Sequence, residues 1–195
     1  ELQIDSVQSG AGTPLPFELG RPDAVLGTRL RVMLPGDTEG VVIRYRTSDQ
    51  ASALGWLLPA QTASKRYPYL FSQCQAIHAR SIVPLQDTPR RRVTFRAALD
   101  VPGELMSLMA ARFIERVPGA SGRAVDHWEM PQPIPPYLLA LAVGCLVSRE
   151  LSPRVRVWAE RMPDVPIELV PVSSASGAAC VRENLADAAL LRLPL

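Results

Sequence analysis

The first candidates for metal chemistry are the two histidines of the chain, His78 and His127. A catalytic zinc ion usually takes three protein ligands, and many zinc peptidases supply two of them from an H-E-x-x-H helix. Neither histidine lies in that motif, the two are far apart in sequence, and no third ligand can be named. We therefore predict one histidine in a strand and one in a loop, with no metal-binding or catalytic residue in this chain.

Nucleophilic catalysis has one candidate pair, Cys74 and His78. A reactive thiolate needs a lowered pKa, which a helix N-terminus or a neighbouring cation provides. A segment flanked by prolines promises neither, so we predict that Cys74 is a small buried residue. The sequence has no G-x-S-x-G elbow, and Gly10-Ala11-Gly12 lacks the third glycine of a phosphate-binding loop.

The stretch between Pro68 and Pro89 is unusual for a plain β-domain, because it concentrates aromatic, amide, histidine, arginine and acidic side chains. Gln73 and Gln75 are two positions apart, so on an extended chain both side chains point to the same side. Each amide offers an acceptor and two donors, which suits it to hold a peptide backbone or an amino terminus. The alternative is that both amides satisfy buried backbone groups, and the residues alone leave both interpretations open.

Short β-branched or alternating runs, separated by prolines and glycines, make up most of the chain. They predict strands at residues 30–34, 41–47, 93–101, 125–130 and 155–158. The apolar run 137–147 predicts a further, buried strand. We therefore predict an all-β domain over residues 1–161. Residues 162–195 are predicted to form a divergent tail, in which a linker of small residues precedes a short amphipathic helix at 181–192.

Composition limits the partners and the compartment. The net charge of +2 gives little field to attract nucleic acid, and the basic run Arg90-Arg91-Arg92 is typical of a solvated corner. No apolar run reaches the roughly 20 residues that cross a membrane. Three separated cysteines without a C-x-x-C pair suit a reducing compartment. We expect a cytoplasmic protein that binds neither nucleic acid nor a membrane.

Four blocks of sequence, in this order, resemble zinc aminopeptidases of the leukotriene A-4 hydrolase and aminopeptidase B type, which belong to the gluzincin group. The blocks are WLLPAQTASK at 56–65, the segment 69–89, PIPPYLLALAVG at 133–144 and SPRVRVWAE at 152–160. The resemblance extends over residues 1–160. It implies the N-terminal β-domain of such an enzyme, a saddle-like domain of mixed or antiparallel sheet, incomplete at both ends.

The resemblance also implies a role for the glutamines. In the family, the Gln-x-Gln-Ala stretch lines the substrate cleft and touches the amino-terminal end of the substrate. Gln73, Gln75 and Ala76 match this stretch residue by residue, so the resemblance implies that they contact substrate. The other matching residues of the segment are interpreted as scaffold: Tyr69, Phe71, Asp87 and Pro89.

The sequence lacks the H-E-x-x-H motif of the family, its G-x-M-E-N loop and its catalytic tyrosine in context. The resemblance therefore implies no cofactor in this chain, zinc only in a catalytic domain that the chain lacks, and that domain as its partner. We expect a non-catalytic domain that covers the substrate cleft of a zinc aminopeptidase and is inactive alone. The complete enzyme would hydrolyse peptide or aminoacyl bonds, and epoxide hydrolysis stays open.

Two alternatives remain at this stage. One is a stand-alone β-domain that binds peptides or a protein partner through the Gln73/Gln75 face. The other is a hydrolase with an unrecognised site, which the lack of zinc ligands and of a nucleophile disfavours.

Overall fold

The computed structural model describes residues 2–36, 38–152 and 155–160. Within these ranges the protein is mainly β, as the sequence predicts, and every strand pairing is antiparallel. The helical elements described there are short 3-10 helices at Pro59–Gln61, Ala79–Ser81, Ala120–Gly122 and Pro136–Leu138. None of the helices in these ranges has the length and apolar character needed to cross a bilayer.

The strands are short, and most of them end at a proline, a glycine or a small polar residue. Their bounds are β1 Leu2–Ser9, β2 Phe17–Asp23, β3 Gly27–Val32, β4 Val41–Thr47, β5 Leu54–Leu57, β6 Tyr69–Ser72, β7 Val93–Pro102, β8 Met106–Met109, β9 Arg112–Pro118, β10 Arg123–Ile134, β11 Leu141–Gly144, β12 Leu146–Ser152 and β13 Val155–Glu160.

These strands form small sheets. The largest has the order β5-β6-β11-β8, a second has the order β7-β10-β9, and β1 pairs with β4. The β2–β3 and β12–β13 pairs are local hairpins. Strand β6 leads into the glutamine segment and lies between β5 and β11, so its end is held by backbone hydrogen bonds on both sides.

Most of the strands that the sequence patterns predicted are present, but the patterns misjudged the apolar run 137–147. Strands β4, β7, β10 and β13 occupy the predicted places, and β3 lies slightly earlier than predicted. The run 137–147 is not one strand, because it contains the end of a 3-10 helix, the four-residue β11 and the start of β12. Pro135 and Pro136 have no amide hydrogen for a ladder, and Pro136 suits the first position of a helical turn. The helix predicted at 181–192 lies outside the described residues.

Two glycines let the aromatic rings of β6 pack closely on the neighbouring strands. A Cβ atom at Gly55 would lie 2.3 Å from Cζ of Phe71, and one at Gly144 would lie 2.4 Å from Cδ2 of Tyr69. The two rings stack with their centroids 6.2 Å apart. Any side chain at either glycine would therefore displace a ring of β6, which supports the interpretation of Tyr69 and Phe71 as scaffold.

Four of the six side chains in the core beside the glutamine segment are small. This core consists of Ala51, Ala53, Cys74, Ala79, Ile82 and Leu139, with Leu54, Val83 and Phe95 packed against it. Small residues allow two backbones to approach closely, so the segment after β6 lies directly against the residues before β5. The amide of Gln73 accordingly donates to the carbonyl oxygen of Ala53 at 2.7 Å.

A buried polar network joins the three-stranded sheet to the four-stranded sheet. Asp126 of β10 is fully buried, and its Oδ2 atom accepts hydrogen bonds from the amide and the hydroxyl of Ser107 of β8, at 3.0 and 2.7 Å. The indole of Trp128 donates to the same hydroxyl at 3.0 Å, and Arg116 lies 3.4 Å from Oδ1. The hydrogen bonds at Oδ2 and the ion pair at Oδ1 offset part of the cost of burying this carboxylate, although Oδ1 accepts no hydrogen bond from the described residues.

Candidate functional site

The candidate site is the segment that follows β6. The strand ends at Ser72, and the chain then turns through residues 75–78 and enters the 3-10 helix Ala79–Ser81. The sequence predicts an extended chain through both glutamines, but the turn begins at residue 75, so the chain is not extended through Gln75. The reason is the buried alanine at position 79, which draws the chain back into the core immediately after the glutamines. We call residues 73–78 the glutamine turn.

The glutamine turn nevertheless presents both amide side chains to the outside. Cys74 is 1% exposed and points into the core, whereas Gln73, Gln75 and Ala76 are exposed. The Oε1 atom of Gln73 accepts the amide hydrogen of Gln75 at 3.0 Å, and the Gln75–Ala76 peptide bond is cis. The structure thus brings together all three residues that the sequence predicted for substrate contact.

The side-chain amide of Gln75 has no hydrogen-bond partner among the described residues. Gln73 bonds an exposed backbone amide rather than a buried one. The alternative from the sequence, that both amides satisfy buried backbone groups, is therefore not what the structure shows. The donors and the acceptor of Gln75 are available to a ligand or a partner.

Buried contacts on the core side of the glutamine turn hold it in place. The amide of His78 donates to the carbonyl of Cys74 at 2.9 Å, which closes the turn. The hydroxyl of Ser81 donates to the carbonyl of His78 at 2.8 Å and accepts the amide hydrogen of Ala53 at 2.9 Å. Since Ala79 and Ser81 are fully buried, the exposed side chains rest on a rigid base.

Arg80 connects this base to two other parts of the chain. Its Nη2 atom donates to the backbone oxygen of Asp87 at 2.6 Å, and its Nη1 atom donates to the carbonyl of Leu26, in the β2–β3 turn, at 2.8 Å. The Oδ2 atom of Asp87 accepts the backbone amide of Arg80 at 3.0 Å. The sequence analysis did not single out Arg80, because its partner at Leu26 is 54 positions away and is a backbone atom.

Cys74 is not a nucleophile. Burial, and secondarily the charge of Asp87, raises the pKa of its thiol to about 11, although a hydrogen bond with Ser72 acts in the opposite direction. A thiol with a raised pKa is protonated at neutral pH and therefore unreactive. The prediction of a small buried cysteine is confirmed. The Nδ1 atom of the neighbouring His78 ring lies within hydrogen-bond distance, 2.9 Å, of the hydroxyl of Ser52.

The two histidines do not form a metal site. His78 lies in the glutamine turn and His127 lies in β10, as the sequence predicted. In the ranges that the structure describes, no three His, Cys, Asp or Glu residues come close enough to hold a metal ion. The described residues therefore do not fit a catalytic zinc ion, and we derive no chemical step that depends on one.

An apolar cavity of about 800 Å³ lies between β4, β7 and the inner face of the four-stranded sheet. Its walls include Tyr45, Trp56, Leu70, Phe95 and Leu141. None of the three predicted substrate-contact residues lines it. The glutamine turn is therefore an exposed surface site, separate from this cavity.

Comparison with known proteins agrees with this architecture. The family model for the peptidase M1 N-terminal domain matches residues 38–138. Leukotriene A-4 hydrolase from Xenopus laevis is 43% identical over 159 residues, which are 77% of this chain and 26% of that protein. Leucine aminopeptidase 2 from Emericella nidulans is 39% identical over 160 residues, with 78% and 26% covered.

Comparison with a solved structure supports the same relationship. Yeast LTA4 hydrolase in complex with bestatin superimposes with a TM-score of 0.72 and 34% identity, over 82% of this chain and 24% of that chain. The chain thus spans about a quarter of the length of the relatives that it matches. The family model covers more than half of the chain, and the described strands form the same mainly antiparallel β-domain. The chain therefore belongs to the peptidase M1 family, in the part that corresponds to its N-terminal domain.

Proposed function

We propose that this chain is the non-catalytic domain that covers one side of the substrate cleft in a zinc aminopeptidase. In this proposal Gln73, Gln75 and Ala76 meet the amino-terminal end of a peptide. The observation that supports it is the amide of Gln75, which has no hydrogen-bond partner among the described residues and is exposed on a turn whose base is buried. The rigid base holds the backbone of the turn in place, so binding has to order only the exposed side chain, which favours recognition.

The chemistry of Gln75 suits an amino terminus. Its amide oxygen can accept a hydrogen bond from a peptide ammonium group, while its nitrogen can donate to a peptide carbonyl. A hydrogen bond to a charged group contributes about 1.5–3 kcal/mol, more than one between neutral groups. Gln73 supports this arrangement, because its Oε1 atom holds the backbone amide of Gln75 in place.

The catalytic domain of the same enzyme is the proposed partner. The relatives are about four times longer than the matched segment, so a complete enzyme has room for the zinc site and for the groups that hydrolyse the peptide. The free thiols of Cys74 and Cys145 accord with a cytoplasmic setting, which we also propose.

Replacement of Gln75 by alanine tests the substrate contact. The host is a chimera in which residues 1–160 of this chain replace the matching segment of the Emericella nidulans leucine aminopeptidase 2, assayed with a leucyl anilide. Loss of one hydrogen bond to a charged amino terminus lowers kcat/KM by roughly ten- to hundred-fold. The melting temperature should stay unchanged, because the Gln75 amide has no partner among the described residues.

Gln132→Ala is the matched control, since Gln132 is also exposed but lies on β10. It should change neither kcat/KM nor the melting temperature. Normal kinetics for Gln75→Ala, with or without a lowered melting temperature, would refute the substrate contact.

A further inference from the structure

The guanidinium group of Arg80 links three backbone segments. It donates to the carbonyl of Leu26 at 2.8 Å and to the carbonyl of Asp87 at 2.6 Å. Its Nε atom is buried and lies 3.5 Å from Oδ2 of Asp87, within ion-pair range but without a hydrogen bond. The planar fork of an arginine can reach several acceptors at once, whereas a lysine ammonium acts as a point charge.

The Arg80–Asp87 pair lies beside the base of the glutamine turn. Arg80 belongs to the 3-10 helix that directly follows the turn. The side chain of Asp87 is 1% exposed, and its charge is near enough to Cys74 to contribute to the raised pKa of that thiol. Cys74 is the inward-pointing residue between the two glutamines. The ion pair is therefore close to the one side chain that fixes the turn in the core.

The third partner of Arg80 is a preformed turn. The Oδ1 atom of Asp23 accepts the amide hydrogens of Val25 and Leu26 at 2.8 and 2.7 Å, which fixes the tip of the β2–β3 hairpin. The carbonyl of Leu26 then faces Arg80. The side chains of Val25 and Leu26 are exposed, and the bond from Arg80 to the carbonyl of Leu26 connects this tip to the glutamine segment.

We propose that Arg80 is a positioning residue, which holds the glutamine turn in the orientation in which Gln75 meets the substrate. Arg80 does not itself contact the substrate. It fixes the 3-10 helix against Asp87 and the β2–β3 turn, and the helix in turn fixes the residues before it. The kinetic part of this inference rests on the proposed function, whereas its structural part can be tested on the chain alone.

The structural test is amide hydrogen exchange of the full chain, with Arg80→Lys compared with wild type. The lysine keeps a cation beside Asp87 but cannot bridge the same acceptors. The amides of His78 and Ser81, which donate within the turn and its base, should exchange at least about fivefold faster. Unchanged exchange at these amides would overturn the proposal.

Arg123→Lys is the matched control. Arg123 also bonds one aspartate twice, with Nε 2.8 Å from Oδ1 of Asp100 and Nη2 2.9 Å from its backbone oxygen. Because that pair joins β10 to β7, its loss should leave exchange in the glutamine turn unchanged. If Arg80→Lys does not fold, the double variant Arg80→Gln with Asp87→Asn, which removes both charges, replaces it. The amides of His78 and Ser81 should then exchange at least about fivefold faster in the double variant, and unchanged exchange would overturn the proposal.

The kinetic test is a double-mutant cycle in the leucine aminopeptidase chimera. Arg80→Lys alone should lower kcat/KM about fivefold, but less than twofold when Gln75→Ala is already present, because the two residues act through one contact. Effects that multiply would overturn the positioning role, since a merely structural loss is independent of Gln75. If Gln75→Ala alone has no effect, the proposed function fails, and the exchange experiment still decides the structural part.

Discussion

The burial of the Cys74 side chain determines that the side chains of Gln73 and Gln75 point outward. This side chain is small enough to enter a core of alanines, and its burial turns Gln73 and Gln75 outward. The sequence alone predicted both the buried cysteine and the shared direction of the glutamines. It did not predict the turn after Gln75, because that turn depends on where Ala79 finds space in the core.

Cys74 should make stability depend on pH in the alkaline range. Burial raises the pKa of its thiol from 9.0 to about 11, so the folded state binds this proton more tightly than the unfolded state does. The stability that the neutral thiol contributes is complete below pH 9 and is lost as the pH rises towards 11. Urea unfolding from pH 8 to pH 11 should therefore show a steeper loss for wild type than for Cys74→Ala.

Tyr45 and Tyr69 also have pKa values raised by burial, but they are present in both proteins and cancel in this comparison. Cys145→Ala serves as the control for loss of a less buried cysteine. If the stability of wild type and of Cys74→Ala changed in parallel with pH, the raised pKa of the Cys74 thiol would be contradicted.

At the scale of strands and sheets, local pattern and long-range pairing contribute differently. Proline-bounded runs located β4, β7, β10 and β13, because alternation and turn residues are local properties. The order β5-β6-β11-β8 brings together strands from distant parts of the chain, and no local pattern encodes it. The Arg80–Leu26 bond and the polar network of Asp126 could not be predicted for the same reason, because each joins residues that are far apart in the sequence.

The Asp126 network should carry much of the connection between the two larger sheets. Asp126→Ala removes the acceptor of two hydrogen bonds from Ser107 and leaves Arg116 without its buried partner. Unsatisfied buried groups cost about 1–3 kcal/mol each, so we expect a loss of about 3 kcal/mol in the free energy of unfolding, measured with urea.

Asp100→Ala is the comparison, because Asp100 also pairs with an arginine, Arg123, but its side chain is 59% exposed. Exposed pairs contribute about 0–1 kcal/mol, so this variant should lose less than about 1 kcal/mol. Equal losses in the free energy of unfolding for Asp126→Ala and Asp100→Ala would show that the buried network stabilises the fold no more than an exposed ion pair does.

At the scale of the whole molecule, the chain corresponds to the N-terminal domain of its relatives, and the proposed function makes it one wall of an active site. It matches about a quarter of its relatives, and its described residues contain no cluster of three metal-binding side chains. The proposed function divides the roles between two parts of the enzyme. In that proposal, this domain contacts the peptide amino terminus, and the zinc chemistry belongs to the part beyond the match.

That division predicts that zinc affects the chimera but not the isolated chain. A ligand at a thousand times its Kd stabilises the folded state by about 4 kcal/mol, which would raise the melting temperature of a chain of this size by about 10 °C. We expect no such shift when zinc is added to the purified chain, and elemental analysis after dialysis should find far less than one zinc per chain. In the leucine aminopeptidase chimera, a chelator should abolish activity and lower the melting temperature. One tightly held zinc per isolated chain would contradict the prediction, and it would require metal ligands that the described residues do not provide.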